Sequence, residues 1–194
     1  MALDVLRGFT PARKIGSGYK NGGFNSYPIT NGYAVAIGEG DPVKMSAGAI
    51  NIAVNTSPVI GIFAGVRYIN DDGQLTFKKN FVAATSSKGG IKFDGGYSQP
   101  LAFVYDDPNE TYIVRTHLSA LAATQIGVSF KMSAIGSVVN ERSQAVLDVN
   151  ASVGTSGGHM VTVMGLYTGQ SSQWGTGPIA VEVKLSNPGI IGEL

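Results

Sequence analysis

The sequence predicts an all-β fold, an antiparallel β-barrel or sandwich with one short helix and an extended N-terminal arm. Three observations carry that prediction. From Tyr33 onward apolar residues recur mostly at every second position, the period of a strand with one buried face. The intervals hold turn chemistry: Asn31-Gly32, Gly40-Asp41-Pro42, Asp72-Gly73, Gly95-Gly96 and Asp106-Asp107-Pro108-Asn109. Only one segment has helical punctuation, and a parallel α/β fold would need several such segments.

At 194 residues the chain suits a single β domain over 33–194 preceded by an arm over 1–32. The arm contains Gly16, Gly18, Gly22, Gly23 and Gly32 with Pro11 and Pro28, a backbone freedom that opposes independent folding. Phe9, Tyr19, Phe24 and Tyr27 are spaced through it, and aromatic rings contribute large apolar area when laid on a partner. Such a segment either returns to its own core as a strand with loops or docks on a neighbour. The aromatic spacing favours docking, with residues 1–26 dispensable for folding.

Alternation is cleanest at the C-terminal end, where Ile179, Val181, Val183 and Leu185 face one way and Ala180, Glu182 and Lys184 the other. The same pattern fits Leu75 with Phe77 and Lys79, Tyr112 with Val114, Ala145 with Leu147 and Val149, and Val161 with Val163. The run from Pro58 to Ile69 reads as a central strand with Ile60, Ile62, Ala64, Val66 and Tyr68 on one face. Gly61, Phe63, Gly65 and Arg67 form its other face, and the glycines permit a bend or a close backbone approach. The helix is expected over Ser119 to Ile126, with Ser119 as cap and Gly127 as left-handed stop.

Composition narrows the functional classes. Charged residues are 14% of the chain against a usual value of about 25%. With 14 basic and 13 acidic residues there is no clustered cation excess to attract a polyanion, so no nucleic-acid partner is expected. Cysteine is absent, which removes disulfides, thiolate nucleophiles and Cys-ligated zinc. No stretch approaches the roughly 20 apolar residues that cross a bilayer, and the first residues lack a secretory apolar core. The expectation is a chain made in the cytoplasm, with no membrane partner and no cofactor.

Candidate chemistry is sparse. Gly154-Thr155-Ser156-Gly157-Gly158 satisfies G-x-S-x-G and precedes His159, but a β-branched run follows where a nucleophile elbow needs a helix. No Asp follows Ser156, so the usual triad order fails as well. His117 and His159 stand apart from carboxylates at metal-ligand spacing. The Asp71-Asp72-Gly73 and Asp106 to Glu110 clusters lack calcium-loop spacing and read as turns. Gly16-Ser17-Gly18 and Gly22-Gly23 lack the strand, helix and Gly-Lys-Ser/Thr of a phosphate loop. Trp174, in a polar loop, reads either as a subunit contact or as a lid over its own core. No catalytic residue and no metal site is expected.

Several blocks, taken in order, resemble the head decoration or capsid cement proteins of tailed bacteriophages. Gly8-Phe9-Thr10-Pro11-Ala12-Arg13 is similar to a G-F-x-P-x-R start. Tyr27 to Met45 resembles Y-x-I followed by an apolar strand and G-D-P-V-K, and Pro58 to Val66 resembles P-V-I-G-V-x-x-G. Ala102 to Asn109 is similar to V-x-D-D-P-N, and Ala122 to Gly127 to A-A-T-x-x-G. The resemblance covers most of the chain and is weakest in its last third.

It implies a structural virion protein, not an enzyme, bound in many copies to the outer surface of the capsid and bridging major capsid protein subunits. It also implies self-association, as a homotrimer or a dimer. The residues expected at capsid or subunit contacts are Phe9, Arg13, Tyr19, Phe24, Tyr27 and Trp174. Competing readings are another virion component of tail or fibre, a carbohydrate-binding β module stacking sugars on Trp174 and Tyr167, and a serine hydrolase using Ser156.

Overall fold

The computed structural model describes residues 8–16, 23–29, 33–54, 57–70, 73–82, 99–117, 120–152, 160–169 and 172–186. These build fourteen strands and a single turn of 3-10 helix, in antiparallel sheets arranged like a sandwich. The strands are β1 (Thr10–Lys14), β2 (Asn25–Pro28), β3 (Pro42–Ser46), β4 (Ala49–Ile52), β5 (Gly61–Ile69), β6 (Leu75–Lys78) and β7 (Leu101–Tyr105). They continue as β8 (Glu110–Arg115), β9 (Ser129–Ser133), β10 (Val138–Val139), β11 (Arg142–Ser143), β12 (Val146–Ser152), β13 (Val161–Leu166) and β14 (Ala180–Leu185).

The first sheet runs β1-β8-β14-β13-β9-β12, and a parallel bridge between Thr116 and Leu147 links the ends of β8 and β12. The second runs β2-β7-β5-β3-β4 with β6 also on β5, and the parallel bridge Ile29 to Ile50 links its ends in the same way. Each sheet therefore curls around its own apolar interior. The first interior holds Tyr112, Phe130, Leu147, Val161, Val163, Val181 and Val183, with Ala53, Val59 and Ile62 reaching in from the second-sheet segment of the chain. The second holds Ile29, Ile37, Val43, Ile50, Phe63, Val66, Tyr68, Phe81, Ala102 and Val104.

The all-β architecture and the wet side of β14 agree with the sequence. Ile179, Val181, Val183 and Leu185 are buried, while Glu182 and Lys184 are partly exposed. Ala180 is buried as well, so that face is only partly wet.

Strand β5 differs from its expected faces. A bulge between Phe63 and Gly65 adds one residue against β7, and an extra residue exchanges the faces of everything after it. Ile62 consequently points into the first interior, whereas Phe63, Val66 and Tyr68 share the second. Gly61 lies so close to β7 that a Cβ there would stand 2.2 Å from the Tyr105 carbonyl oxygen, which explains that glycine by close approach.

The expected helix over 119–126 is reduced to the 3-10 turn Ala123–Gln125, with Ser119 outside the described residues. A two-turn helix has little stability of its own. Here Leu121 is drawn into the first interior and the Gln125 side chain accepts the Ala122 N–H at 2.9 Å. Gly127, at φ 83°, ends the turn as expected, and its N–H goes to the Val163 carbonyl.

The free arm is corrected in the same way. Residues 8–16 and 23–29 remain extended, but β1 pairs with β8 and β2 with β7, so the segment stitches both sheets of its own chain. Phe9 is 3% exposed and meets Tyr112 edge-to-face at 5.9 Å. Removing residues 1–26 would therefore open the first interior, at the roughly 3–5 kcal/mol typical of losing a buried Phe.

One polar junction joins these parts. The buried Asp41 carboxylate accepts the Gly38 N–H at 2.8 Å on Oδ2, and the Ser143 hydroxyl and the Gly136 N–H on Oδ1. Around it the Phe9 N–H donates to the Gly40 carbonyl, Gly40 N–H to Phe63, Gly8 N–H to Ala145 and Ser143 N–H to Glu39. Gly40 has φ 91°, and a Cβ there would lie 2.9 Å from both Phe9 N and Phe9 O. Residues 8–9, the lead into β3 and the β10–β11 hairpin thus meet around one side chain, which no cation neutralises among the described residues.

Burial dominates the Asp41 pKa and pushes it up to about 6, against the opposing pull of its three hydrogen bonds. Between its ordinary 3.8 and about 6 the folded chain binds more protons here than the unfolded chain. The associated stability is complete below the ordinary value and is lost as pH rises through about 6, an effect on the order of 3 kcal/mol. Denaturant unfolding from about pH 4 to 7 should show this falling limb in the wild type and lack it in Asp41→Asn. Asp41→Ala should cost about 3 kcal/mol or more at pH 7, because it strands several buried donors. Equal pH slopes for wild type and Asp41→Asn would contradict this account.

Candidate interaction surface

Strand β7 is apolar on both faces. Ala102 and Val104 enter the second interior, while Leu101, Phe103 and Tyr105 point the other way. At the Tyr105 end that outer face is covered by the first sheet. Ile62, cross-strand from Tyr105, lies in the first interior, Tyr105 packs against it, and the Tyr112 hydroxyl donates to the Tyr105 carbonyl at 3.1 Å.

Beyond that overlap the apolar face continues into solvent. Phe103 stacks with Phe77 of β6 at 6.2 Å between centroids and 8° between planes, across a β5 that offers only Gly65 opposite Phe103. Phe24, just before β2, leans on Phe103 at 4.8 Å and meets Tyr105 edge-to-face at 6.2 Å. Phe24 is 48% exposed, Phe77 61% and Leu75 59%. Three strands and the lead into a fourth thereby present one aromatic ridge.

Its electrostatic frame is built from local pairs. The Tyr27 hydroxyl donates to Asp106 Oδ2 at 2.5 Å and Asn25 Nδ2 donates to the same oxygen at 2.8 Å. Burial, then the Asp106 contact, pushes the Tyr27 phenol up to about 12. Lys14 pairs with Asp107, whose carboxyl is held below its ordinary range by that contact and by the Asn109 N–H. Arg67 stands within the ridge, opposite Phe77 on β6 and Leu101 on β7.

The residues expected at contacts divide clearly. Phe24 is on the ridge. Phe9 is in the core, so it faces no partner. Arg13 is exposed on β1, but its Nε donates to Glu182 Oε1 at 2.6 Å. Burial raises the Glu182 pKa, and the bonds from Arg13 and Thr111 outweigh it, leaving the carboxyl below its ordinary range. Tyr27 is half-buried against the second interior. Trp174 lies against the first interior, where the Gly175 N–H bonds the Leu121 carbonyl, so it acts as a lid over its own core. Tyr19 lies outside the described residues.

Sequence reasoning missed Phe77, Phe103 and Leu75 as surface residues. Leu75 and Phe77 read as the buried face of a strand, yet β6 turns them outward. The available signal was Leu101-Ala-Phe-Val-Tyr105, apolar at every position and so without a polar face of its own.

Of the chemical candidates, Ser156, His159, Asp71 and Asp72 fall outside the described residues. His117 is exposed at the end of β8. Among the described residues no three His, Cys, Asp or Glu side chains gather as metal ligands, and no helix is long and apolar enough to cross a membrane. The Asp106 to Glu110 stretch is a turn, in which Asp107 accepts the Asn109 and Glu110 N–H groups. A shallow apolar cleft of about 250 Å³ is lined by Ile52, Ala53, Val54, Met132 and Ile135.

Phe77→Ser should shift the unfolding free energy by less than about 1 kcal/mol, since the ring is largely solvated already. Phe63→Ser should cost about 3 kcal/mol or more. The Phe24→Ser/Phe77→Ser double variant should also bind less of a fluorescent apolar-surface dye. A Phe77→Ser loss as large as that of Phe63→Ser would show that the ridge is core. Comparison with protein-family models, with curated proteins and with solved structures yields no match.

Proposed function

We propose that this chain is a structural virion protein that binds the outer surface of a phage capsid and stabilises it by bridging major capsid protein subunits. The observation that carries the reading is the aromatic ridge of Phe24, Phe77 and Phe103, an apolar sheet face that continues past the point where its own chain covers it. Monomeric proteins seldom leave such a face in water unless it meets something. The ordered resemblance to phage decoration proteins supplies the partner. Its blocks fall on framework positions: Gly8 and Phe9 at the Asp41 junction, Gly40 to Lys44 at the same junction and β3, and Asp106 to Asn109 at the β7–β8 turn.

On this reading the work is mechanical. Internal pressure strains a thin shell outward, and a subunit touching two capsid proteins adds contact free energy that separation must break. Modest contacts repeated over a lattice, and between copies joined as a dimer or trimer, gain avidity that no single contact has. A doubly sheeted body with its ridge already formed suits this role, because little ordering entropy is lost on docking.

The test is to mix the purified full chain with expanded, undecorated heads of the phage that encodes it and to image the particles. Saturable density on the outer surface is expected. Phe24→Ser/Phe77→Ser, folded by circular dichroism, should bind roughly tenfold more weakly or worse. Bare heads at saturating protein would refute the proposal.

A further inference from the structure

We propose that the ridge receives a segment of a different protein, apolar and carrying a carboxylate set over Arg67, and that it is not the face on which copies of this chain meet. The inference rests on the reading above, that the ridge is a contact surface, and names the chemistry of what covers it.

Arg67 stands in the middle of the apolar face, directly opposite Phe77 on one neighbouring strand and Leu101 on the other. It is partly buried and pairs with no acid among the described residues. Of the acids that border the far end of β7 and the Asp41 junction, Asp106 is held by Tyr27 and Asn25, Asp107 by Lys14, and Glu39 by Lys79 and Arg142. Covering the ridge desolvates the guanidinium, and a buried cation without an acceptor is costly. A second copy laid on this face brings another Arg67, and β5, β6 and β7 carry no carboxylate to meet it, so like charge opposes the pairing. An apolar segment with one Asp or Glu supplies both missing parts, ring contact along Phe24, Phe103 and Phe77 and a planar, two-point acceptor for the guanidinium. Single-stranded nucleic acid also stacks on aromatic rings, but it needs a run of uncommitted cations along the groove. Lys14, Lys79 and Arg142 already hold acids.

The probes are two seven-residue β-forming peptides, identical except for a central glutamate or lysine, titrated against the full chain by NMR. The glutamate peptide should shift the resonances of Arg67, Phe77 and Phe103 and bind at least roughly tenfold more tightly than its lysine twin. Arg67→Glu, checked for fold by circular dichroism, should reverse that preference. Equal affinities, no binding of either peptide, or shifts confined to other residues would overturn the proposal. So would tighter binding of an oligothymidylate than of the glutamate peptide. Sedimentation showing an oligomer that Arg67→Glu or Phe77→Ser dissociates would identify a second copy as the occupant, and would overturn it too.

Head binding is scored separately. If wild type decorates heads and Arg67→Glu does so with unchanged affinity, this inference fails while the proposed function stands. If the glutamate peptide binds as stated but heads stay bare, the function fails while the chemistry of the ridge stands.

Discussion

The fold depends on one buried carboxylate. Two curled sheets share apolar contact only where Ala53, Val59, Ile62 and Tyr105 meet the first interior, and the Asp41 junction is the polar point at which their chain segments are tied. Its oxygens take donors from Gly38, Gly136 and Ser143, and the neighbouring backbone bonds bring in Gly8, Phe9 and Phe63. A neutral side chain of similar size lacks the acceptor capacity for all three donors. A carboxylate has that capacity, and the cost of burying it appears in its raised pKa.

A second constraint follows from the relative extent of the sheets. The first sheet covers the outer face of β5 and β7 at Ile62 and Tyr105, then stops, while the apolar character of the face does not. Inside the overlap, rings and aliphatic chains build the junction between sheets. Outside it, the same face carries Phe103, partly exposed, beside the exposed Phe77 and Phe24. One pattern in the sequence therefore serves stability at one end and contact at the other. The difference lies in which part of the chain reaches over it.

This explains which features were legible in advance. Period-two alternation identified β14, β13, β12 and β8, whose alternate residues Val181, Val183, Val161, Val163, Leu147, Tyr112 and Val114 all enter the first interior. It misassigned the faces of β5, since a bulge is one extra residue with no compositional mark other than Gly65. It also turned Leu75 and Phe77 inward, because exposure depends on where the other sheet ends, and that is a long-range property. The arm was misjudged for a related reason. Glycines and prolines around Phe9 and Phe24 describe a backbone that does not fold alone, but β1 and β2 do not fold alone: β8 and β7 supply their hydrogen bonds. Of the contact residues read from sequence, Phe24 lies on the ridge, and it was found through its aromatic character in a glycine-rich setting. Asp41 was visible only as a turn residue, because two of its three donors, Gly136 and Ser143, lie 95 and 102 positions away.

The central claim is that the chain works by contact through the uncovered half of one sheet while the Asp41 junction holds the two sheets as a unit. Hydrogen–deuterium exchange of the chain, free and bound to heads, measures both parts together. The account predicts new protection in peptides covering residues 23–29, 75–78 and 101–105, with the slowly exchanging amides of 38–41 and 143–145 unchanged. Protection on the β1 side of the first sheet with none at 75–78 and 101–105, or deprotection of 38–41 on binding, would contradict it.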